Sequence, residues 1–258
     1  MIKIFYKEIK ARVSNGPKNF LRKRLRAKGW LRVDEYHAGL PDSVVYSEIL
    51  KLNPDTVLDV GSNSGQFALA LREAGFTGRI ISFEPVTQTF RELEANASRD
   101  ANWQCWNLAL GDKPGELPIH ISGSSLSTSL LPIGNLHIEL MPQSKEVGVE
   151  MVKVVKLDDW AEGKKLGARI YLKLDDQGYE LAVLRGASQL LKSVVGAVVE
   201  LNFRPLFDGQ SKYHEVLREM ETYGFFFSHL TSVYLHPQAQ TFLWADAVFR
   251  PNEKEKIT

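Results

Sequence analysis

The sequence predicts an α/β fold built on a seven-stranded, mostly parallel sheet with helices on both faces. Three observations predict it. The 258 residues suit one α/β domain with a sizeable core. From Thr56 onward, short β-branched or apolar runs alternate with helix-length amphipathic stretches. The first such run ends in a glycine-containing turn that opens the first amphipathic stretch, as a parallel sheet requires where a strand hands over to a helix.

The predicted strands are 56–60, 79–83, 103–110, 169–174, 194–201, 225–230 and 241–249. The predicted helices are 66–74, 87–99, 179–192 and 213–223, with Gly75, Gly186 and Gly224 at helix ends or turns. Residues 51–258 are read as this domain, and 112–160 interrupts its alternation. Two strand-like runs there, 117–122 and 150–156, flank a Ser-rich loop and predict a small hairpin beside the ligand crevice. The loop 122–131 reads either as a lid over an acceptor or as a plain polar connection. Asp159 reads as a helix cap in Asp158-Asp159-Trp160.

Hydrophobic and charged fractions of 44% and 24% are those of a soluble globular chain. The single cysteine, Cys105, excludes an internal disulfide framework and a cysteine metal site; between Trp103 and Trp106 it reads as a buried, inert thiol. No signal-peptide pattern and no run of membrane-spanning length is visible, so a cytoplasmic location is expected.

The net charge of +1 conceals an asymmetry. Residues 1–32 carry eleven Lys or Arg against one acid, Glu8, at the head of a basic, mainly helical extension over residues 1–50. Ile2, Phe5, Ile9 and Val13 recur there at helical spacing. Such an arm fits peripheral contact with the inner face of an anionic membrane, near a lipid-linked glycan, or a solvated helix packed on the domain. Nucleic acid is the less favoured partner, because regularly interleaved aromatics are missing.

Chemistry concentrates first in Val57-Leu58-Asp59-Val60-Gly61-Ser62-Asn63-Ser64-Gly65-Gln66. The turn lies where open parallel sheets bind ligands, and Gly61 and Gly65 permit close backbone approach. A dinucleotide fingerprint has three glycines with a pyrophosphate on the helix N-terminus. Here only G-x-x-x-G is present, and Asp59 precedes it. A carboxylate there suits a cation, and S-adenosylmethionine carries a sulfonium and an ammonium but no phosphate. Glu84, in Phe83-Glu84-Pro85 at the end of the second strand, is placed to accept hydrogen bonds from two ribose hydroxyls.

Asp175 ends the fourth predicted strand and Glu200 the fifth, with Asn202 two positions on. All three are expected at the floor of the same crevice. They can orient an acceptor hydroxyl, take its proton or hold a divalent cation, the cation being the less favoured use. Asp175 is the first candidate base and Glu200 the second. Asp176 is an alternative helix cap, and no histidine is assigned a role.

Taken together, these blocks resemble the FkbM family of methyltransferases over roughly residues 52–250. They are 58–66, Phe83-Glu84-Pro85, Asn107-Leu108-Ala109-Leu110-Gly111-Asp112, Val155-Lys156-Leu157-Asp158-Asp159-Trp160, 172–175 with Gly178-Tyr179-Glu180 and Leu184-Arg185-Gly186-Ala187, and finally Glu200 with 245–249. The resemblance implies the class I methyltransferase (Rossmann-like) fold, an S-adenosylmethionine cofactor and O-methylation of a sugar, a glycan (polysaccharide biosynthesis) or a secondary metabolite. It implies that Asp59, Gly61, Ser62, Asn63 and Gly65 line the cofactor, Glu84 holds its ribose, and Asn107, Leu108 and Ala109 lie near its adenine. Where the family commonly reads Asp-Val-Glu-Gly, this chain has Asp175-Asp176-Gln177-Gly178. Competing readings are a nicotinamide-dependent sugar-modifying enzyme, a nucleotide-binding module, and a non-catalytic S-adenosylmethionine-binding protein.

Overall fold

The computed structural model describes residues 37–252 apart from 39 and 41. The expected basic arm, 1–32, and most of the extension 1–50 lie outside the described residues.

The main sheet is built from β1 (His37–Ala38), β2 (Thr56–Val60), β3 (Arg79–Phe83), β4 (Trp103–Trp106), β8 (Ile170–Leu174), β9 (Val194–Asn202), β10 (Phe225–Leu235) and β11 (Phe242–Pro251). Between β4 and β8 come β5 (Ala109–Leu110), β6 (Gly115–Ser122) and β7 (Glu146–Val155). The spatial order is β1-β10-β11-β9-β8-β2-β3-β4. Strands β4, β3, β2, β8 and β9 run parallel; β11 is antiparallel to β9, β10 is antiparallel to β11 and so returns to the main direction, and the two-residue β1 is antiparallel to β10. The seven expected strands are thus present, with β1 added at one edge. This order, parallel with an antiparallel return at one side, is the class I methyltransferase arrangement.

The helices are α1 (Ser43–Leu52), α2 (Gln66–Glu73), α3 (Thr87–Ala97), α4 (Asn135–Leu140), α5 (Leu157–Ala161), α6 (Glu180–Arg185) and α7 (Tyr213–Thr222). β2 and β8 are buried at every residue, as strands covered on both faces must be. Their alternate side chains feed two cores. Leu58, Val60, Leu172, Leu174, Val199 and Leu201 pack on one face. Val57, Tyr171, Val198 and Val248 pack on the other, beneath Val45 and Ile49 of α1 and Ala68 and Leu71 of α2.

Three expectations are corrected. The run 103–110 is not one strand: it leaves the main sheet after Trp106, and Ala109–Leu110 joins a second sheet of order β5-β7-β6. Asn107 makes the break, its Nδ2 donating to the carbonyls of Glu84 (2.9 Å) and Pro85 (2.8 Å). The expected helix 179–192 stops at Arg185, with Gly186 as its C-cap; glycine is needed there because a Cβ would lie 2.1 Å from the Gly111 carbonyl. A short 3₁₀ turn, Leu190–Ser193, follows. Asp159 does not cap α5, which has no side-chain cap. Its neighbour Asp158 instead accepts the amides of Gln189 (3.0 Å) and Leu190 (2.9 Å).

Within 112–160, β6 and β7 pair antiparallel and bury Ile119, Val152 and Val154 against Val86, Ala109 and Leu130. Loop residues after β6 thereby reach over the carboxyl ends of β2 and β8. Cys105 is half-buried, and burial pushes its thiol up to about 12.

Candidate active site

At the carboxyl ends of β2, β8 and β9 the chain leaves a cavity of about 350 Å³, lined in part by Asp42, Tyr46, Gly61, Asn63, Gln66, Phe67, Leu126, Lys173, Asp175 and Asp246. Such a volume is in the range of small-molecule sites. A narrower crevice adjoins it, lined by Gly61, Asn63, Glu84, Pro85, Thr89, Ile119, Leu126, Asp175, Asp176 and Gln177 among others. Gly61, Asn63, Leu126 and Asp175 border both.

The turn after β2 is set by packing on the protein itself. Gly61 sits at φ +66, and a Cβ there would lie 1.8 Å from the Asp175 carbonyl. At Gly65 (φ +91) a Cβ would strike the Trp103 ring and Leu93. Both positions demand glycine because the loop touches β8 on one side and α3 and β4 on the other. Ser62, buried, donates its hydroxyl toward the carbonyls of Asp59 and Phe83, both at 2.9 Å. The amides of the turn are also used internally. Ser62 N–H donates to the Phe83 carbonyl and Gly65 N–H to that of Ser62. Asn63 N–H donates to Glu84 Oε2 (3.0 Å) and Ser64 N–H to Asn63 Oδ1 (2.8 Å). These four amides therefore form no pyrophosphate cradle.

Glu84 directly follows β3, with 6% exposure, at the wall of the narrow crevice. Its Oε1 accepts the Val86 amide at 2.9 Å, and burial pushes the carboxyl up to about 7. Each carboxylate oxygen keeps a second acceptor position, so the group can still receive two hydroxyls. Asn107, exposed, shapes the Glu84-Pro85 turn; Leu108 packs on the main core and Ala109 lies buried under the small sheet.

Asp59 faces the sheet interior rather than the crevice. It stands opposite Lys173 in the β2–β8 register and is fully buried. Lys173 Nζ lies 3.2 Å from Asp59 Oδ1, and Ser82 Oγ donates to Asp59 Oδ2 at 3.0 Å. Burial still holds the Asp59 carboxyl above its usual range. The same ammonium donates to the carbonyls of Val60 (3.1 Å) and Gly61 (2.8 Å) and sits 3.8 Å from Asp175 Oδ2. Asp59 thus fixes Lys173, and Lys173 ties the turn after β2 to β8.

Asp175 and Glu200 are brought together by Gln177. That residue takes φ +52, and its Nε2 donates to Asp175 Oδ1 at 2.7 Å and toward Glu200 Oε2 at 3.2 Å. Asn202 Nδ2 donates to Glu200 Oε1 at 3.1 Å. Glu200 is nearly fully buried; burial first, then the nearby Asp175, Glu180 and Asp246, raises its carboxyl well above the ordinary range. Asp176 does not cap α6: Glu180 Oε1 accepts the amides of Asp176 and Gly178, both at 3.0 Å. Burial pushes Glu180 up to about 8 and Asp176 and Asp246 each up to about 7. Sequence reasoning missed Gln177, Lys173, Tyr46 and Asp246. A lone lysine within the otherwise apolar Ile-Tyr-Leu-Lys-Leu of β8 was the available signal for one of them.

Among the described residues, no group of three or more His, Cys, Asp or Glu is arranged to hold a metal ion, and no helix is long and apolar enough to cross a membrane.

A profile of the methyltransferase FkbM domain matches residues 59–227, about two thirds of the chain and all of the strand ends just described except Asp246. The chain belongs to the FkbM methyltransferase family. Methyltransferases of this fold are S-adenosylmethionine-dependent. The hexuronic acid methyltransferase AglP of Haloferax volcanii is 27% identical over 156 residues, covering 57% of this chain and 56% of AglP. The chain thus matches little more than half the length of that relative. Two solved structures align with most of the chain at low identity. Magnesium protoporphyrin IX methyltransferase from Synechocystis PCC 6803 is 12% identical, with TM-score 0.43, over 80% of this chain and 76% of that one. Precorrin-6y C5,15-methyltransferase from Geobacter metallireducens GS-15 is 8% identical, with TM-score 0.45, over 82% and 87%. Nothing about activity rests on either.

Proposed function

We propose that this FkbM-family protein is an S-adenosylmethionine-dependent O-methyltransferase acting on a hydroxyl of a sugar, glycan or related secondary metabolite. The observation that carries the reading is the position of Asp175, which borders both the narrow crevice with Glu84 and the wider cavity with Asp246. A group at that junction faces the donor on one side and the acceptor on the other. The hexuronic acid methyltransferase relative supports a sugar as acceptor.

The donor set fits the cofactor. Glu84 offers free acceptor positions for ribose hydroxyls, and the buried Oδ2 of Asp176 has no hydrogen-bond partner in the same crevice. When bound, S-adenosylmethionine supplies a methyl group already activated on a sulfonium. The acidic surroundings favour that cation, while the internally satisfied turn gives a pyrophosphate nothing to bind, so the nicotinamide reading loses its footing. Of the turn residues, Gly61 and Asn63 border the crevice, whereas Asp59, Ser62 and Gly65 act by shaping it.

The chain's part in the reaction is alignment and proton removal. Holding the acceptor oxygen in line can contribute roughly 7–11 kcal/mol. Asp175, with one oxygen bound by Gln177 and about a third of its side chain exposed, is the base that takes the hydroxyl proton. Glu200, buried and held by Gln177 and Asn202, positions that base. Asp175→Asn should cut turnover by about 10²–10⁴-fold and leave cofactor affinity intact. Near-normal turnover would remove Asp175 from the mechanism. The basic stretch 1–32 would bring the domain to an anionic membrane face on the cytoplasmic side, near a lipid-linked acceptor; unchanged liposome binding after its deletion refutes that role.

A further inference from the structure

The wider cavity is chemically one-sided. Asp42 and Asp246 line it and do not line the narrow crevice, while Asp175 borders both. The lining cation is Lys173, and its ammonium is already committed to two carbonyls and to Asp59, with Asp175 close by. Two of its three hydrogens go to those carbonyls, and the ammonium already faces the Asp59 and Asp175 carboxylates, so its charge is balanced before any ligand arrives. The neutral donors in the lining are the Tyr46 hydroxyl, the Ser62 hydroxyl, which already donates to carbonyls, and the amides of Asn63 and Gln66, the latter already donating to Asn63 Oδ1; they suit a hydroxyl as well as any other group. A ligand that fills this space must therefore bring hydrogens, not negative charge.

We infer that the acceptor is a neutral or amino sugar, and that a sugar carrying a carboxylate or phosphate is excluded by charge. This rests on the sugar reading above and narrows it. It also parts this chain from the relative named for hexuronic acid. An anion beside Asp42, Asp175 and Asp246 meets like charge with no free cation among the described lining residues. Its binding should be weaker on the order of tenfold or more than that of a neutral sugar of the same shape. An amino group in its place gains the same carboxylates as partners. Asp246, raised to about 7 by burial and by its acidic neighbours, would ionise fully as such a cation bound.

The test uses the full-length protein saturated with S-adenosylhomocysteine. Methyl glucoside, methyl glucosaminide and methyl glucuronide are compared by calorimetry at pH 7.5, and by methyl transfer from S-adenosylmethionine. The expected order is glucosaminide at or above glucoside, with glucuronide at least about tenfold weaker. Asp246→Asn and Asp42→Asn, each checked for unaltered S-adenosylhomocysteine affinity, should narrow that gap by improving glucuronide binding. Preference for the glucuronide, or a gap that neither substitution moves, overturns the inference while leaving a sugar acceptor in place. If none of the three sugars binds although S-adenosylhomocysteine does, the sugar reading falls and the inference falls with it.

Discussion

Replacing Lys173 by methionine removes the cation that faces Asp59 at 3.2 Å. Asp59 is fully buried, so its charge would be left with one hydrogen bond, from Ser82 Oγ. Breaking a buried ion pair by deleting one partner costs about 3–5 kcal/mol. The surviving charge-assisted bond places the loss at the lower end, about 3 kcal/mol. The loss should also depend on pH. Burial already holds the Asp59 carboxyl above its unfolded value, and removing Lys173 raises it further. A carboxyl raised on folding stabilises fully below its unfolded pKa and loses that contribution as pH rises through the folded value. Lys173→Met should therefore be more damaging at pH 8 than at pH 5. The double variant Asp59→Asn/Lys173→Met, neutral at both positions, should recover most of the loss and flatten the pH dependence. Urea unfolding of the three proteins at both pH values measures this. Equal stability of the single and double variants at pH 8 would refute the pairing argument.

Other consequences follow from the same geometry. Gly61→Ala drives a Cβ to 1.8 Å from the Asp175 carbonyl at φ +66, and should cost about 2–4 kcal/mol and cofactor binding with it; Gly75→Ala, at φ +105 with nothing within 4 Å, should cost about 1 kcal/mol, and similar urea midpoints for the two would contradict this. Glu84→Gln should weaken S-adenosylmethionine binding by about 10–100-fold in calorimetry with thermal stability maintained, and unchanged affinity would remove Glu84 from the ribose site. With Glu84, Asp176 and Asp246 each raised to about 7 by burial, these groups favour the folded ligand-free protein at pH 5.5 over pH 8. Denaturant titrations at the two pH values read the slope, and a rise from 5.5 to 8 in the wild-type protein, absent in the corresponding amide variants, would show the sign to be wrong.

The location of the site was legible because its signals are local. A buried strand, a glycine turn and a helix start are contiguous in sequence, and so are the strand ends carrying Glu84, Asp175 and Glu200. What individual residues do there depends on partners far along the chain. Asp59 read as a ligand for a cation, and it does face one, but the cation is Lys173 of a strand more than a hundred residues on. Nothing in the alternation of a strand covered on both faces says which face looks at the crevice. Gly61 and Gly65 read as room for a ligand, whereas the backbone of Asp175 and the ring of Trp103 occupy that room. The run 103–110 looked continuous because apolar residues flank Asn107, and only the clasp from Asn107 to the Glu84-Pro85 carbonyls breaks it. Gln177 stands where the family commonly has an acid. In the fold its amide supplies the donor that lets two carboxylates share one floor.

The most direct test of the account is a calorimetric titration of the full-length protein with S-adenosylmethionine and S-adenosylhomocysteine, with NAD as the comparison. The account predicts saturable one-to-one binding of the first two and no heat from NAD. Binding of NAD in place of the other two would contradict it, because the turn after β2 would then be holding a pyrophosphate that its committed amides leave no means to hold.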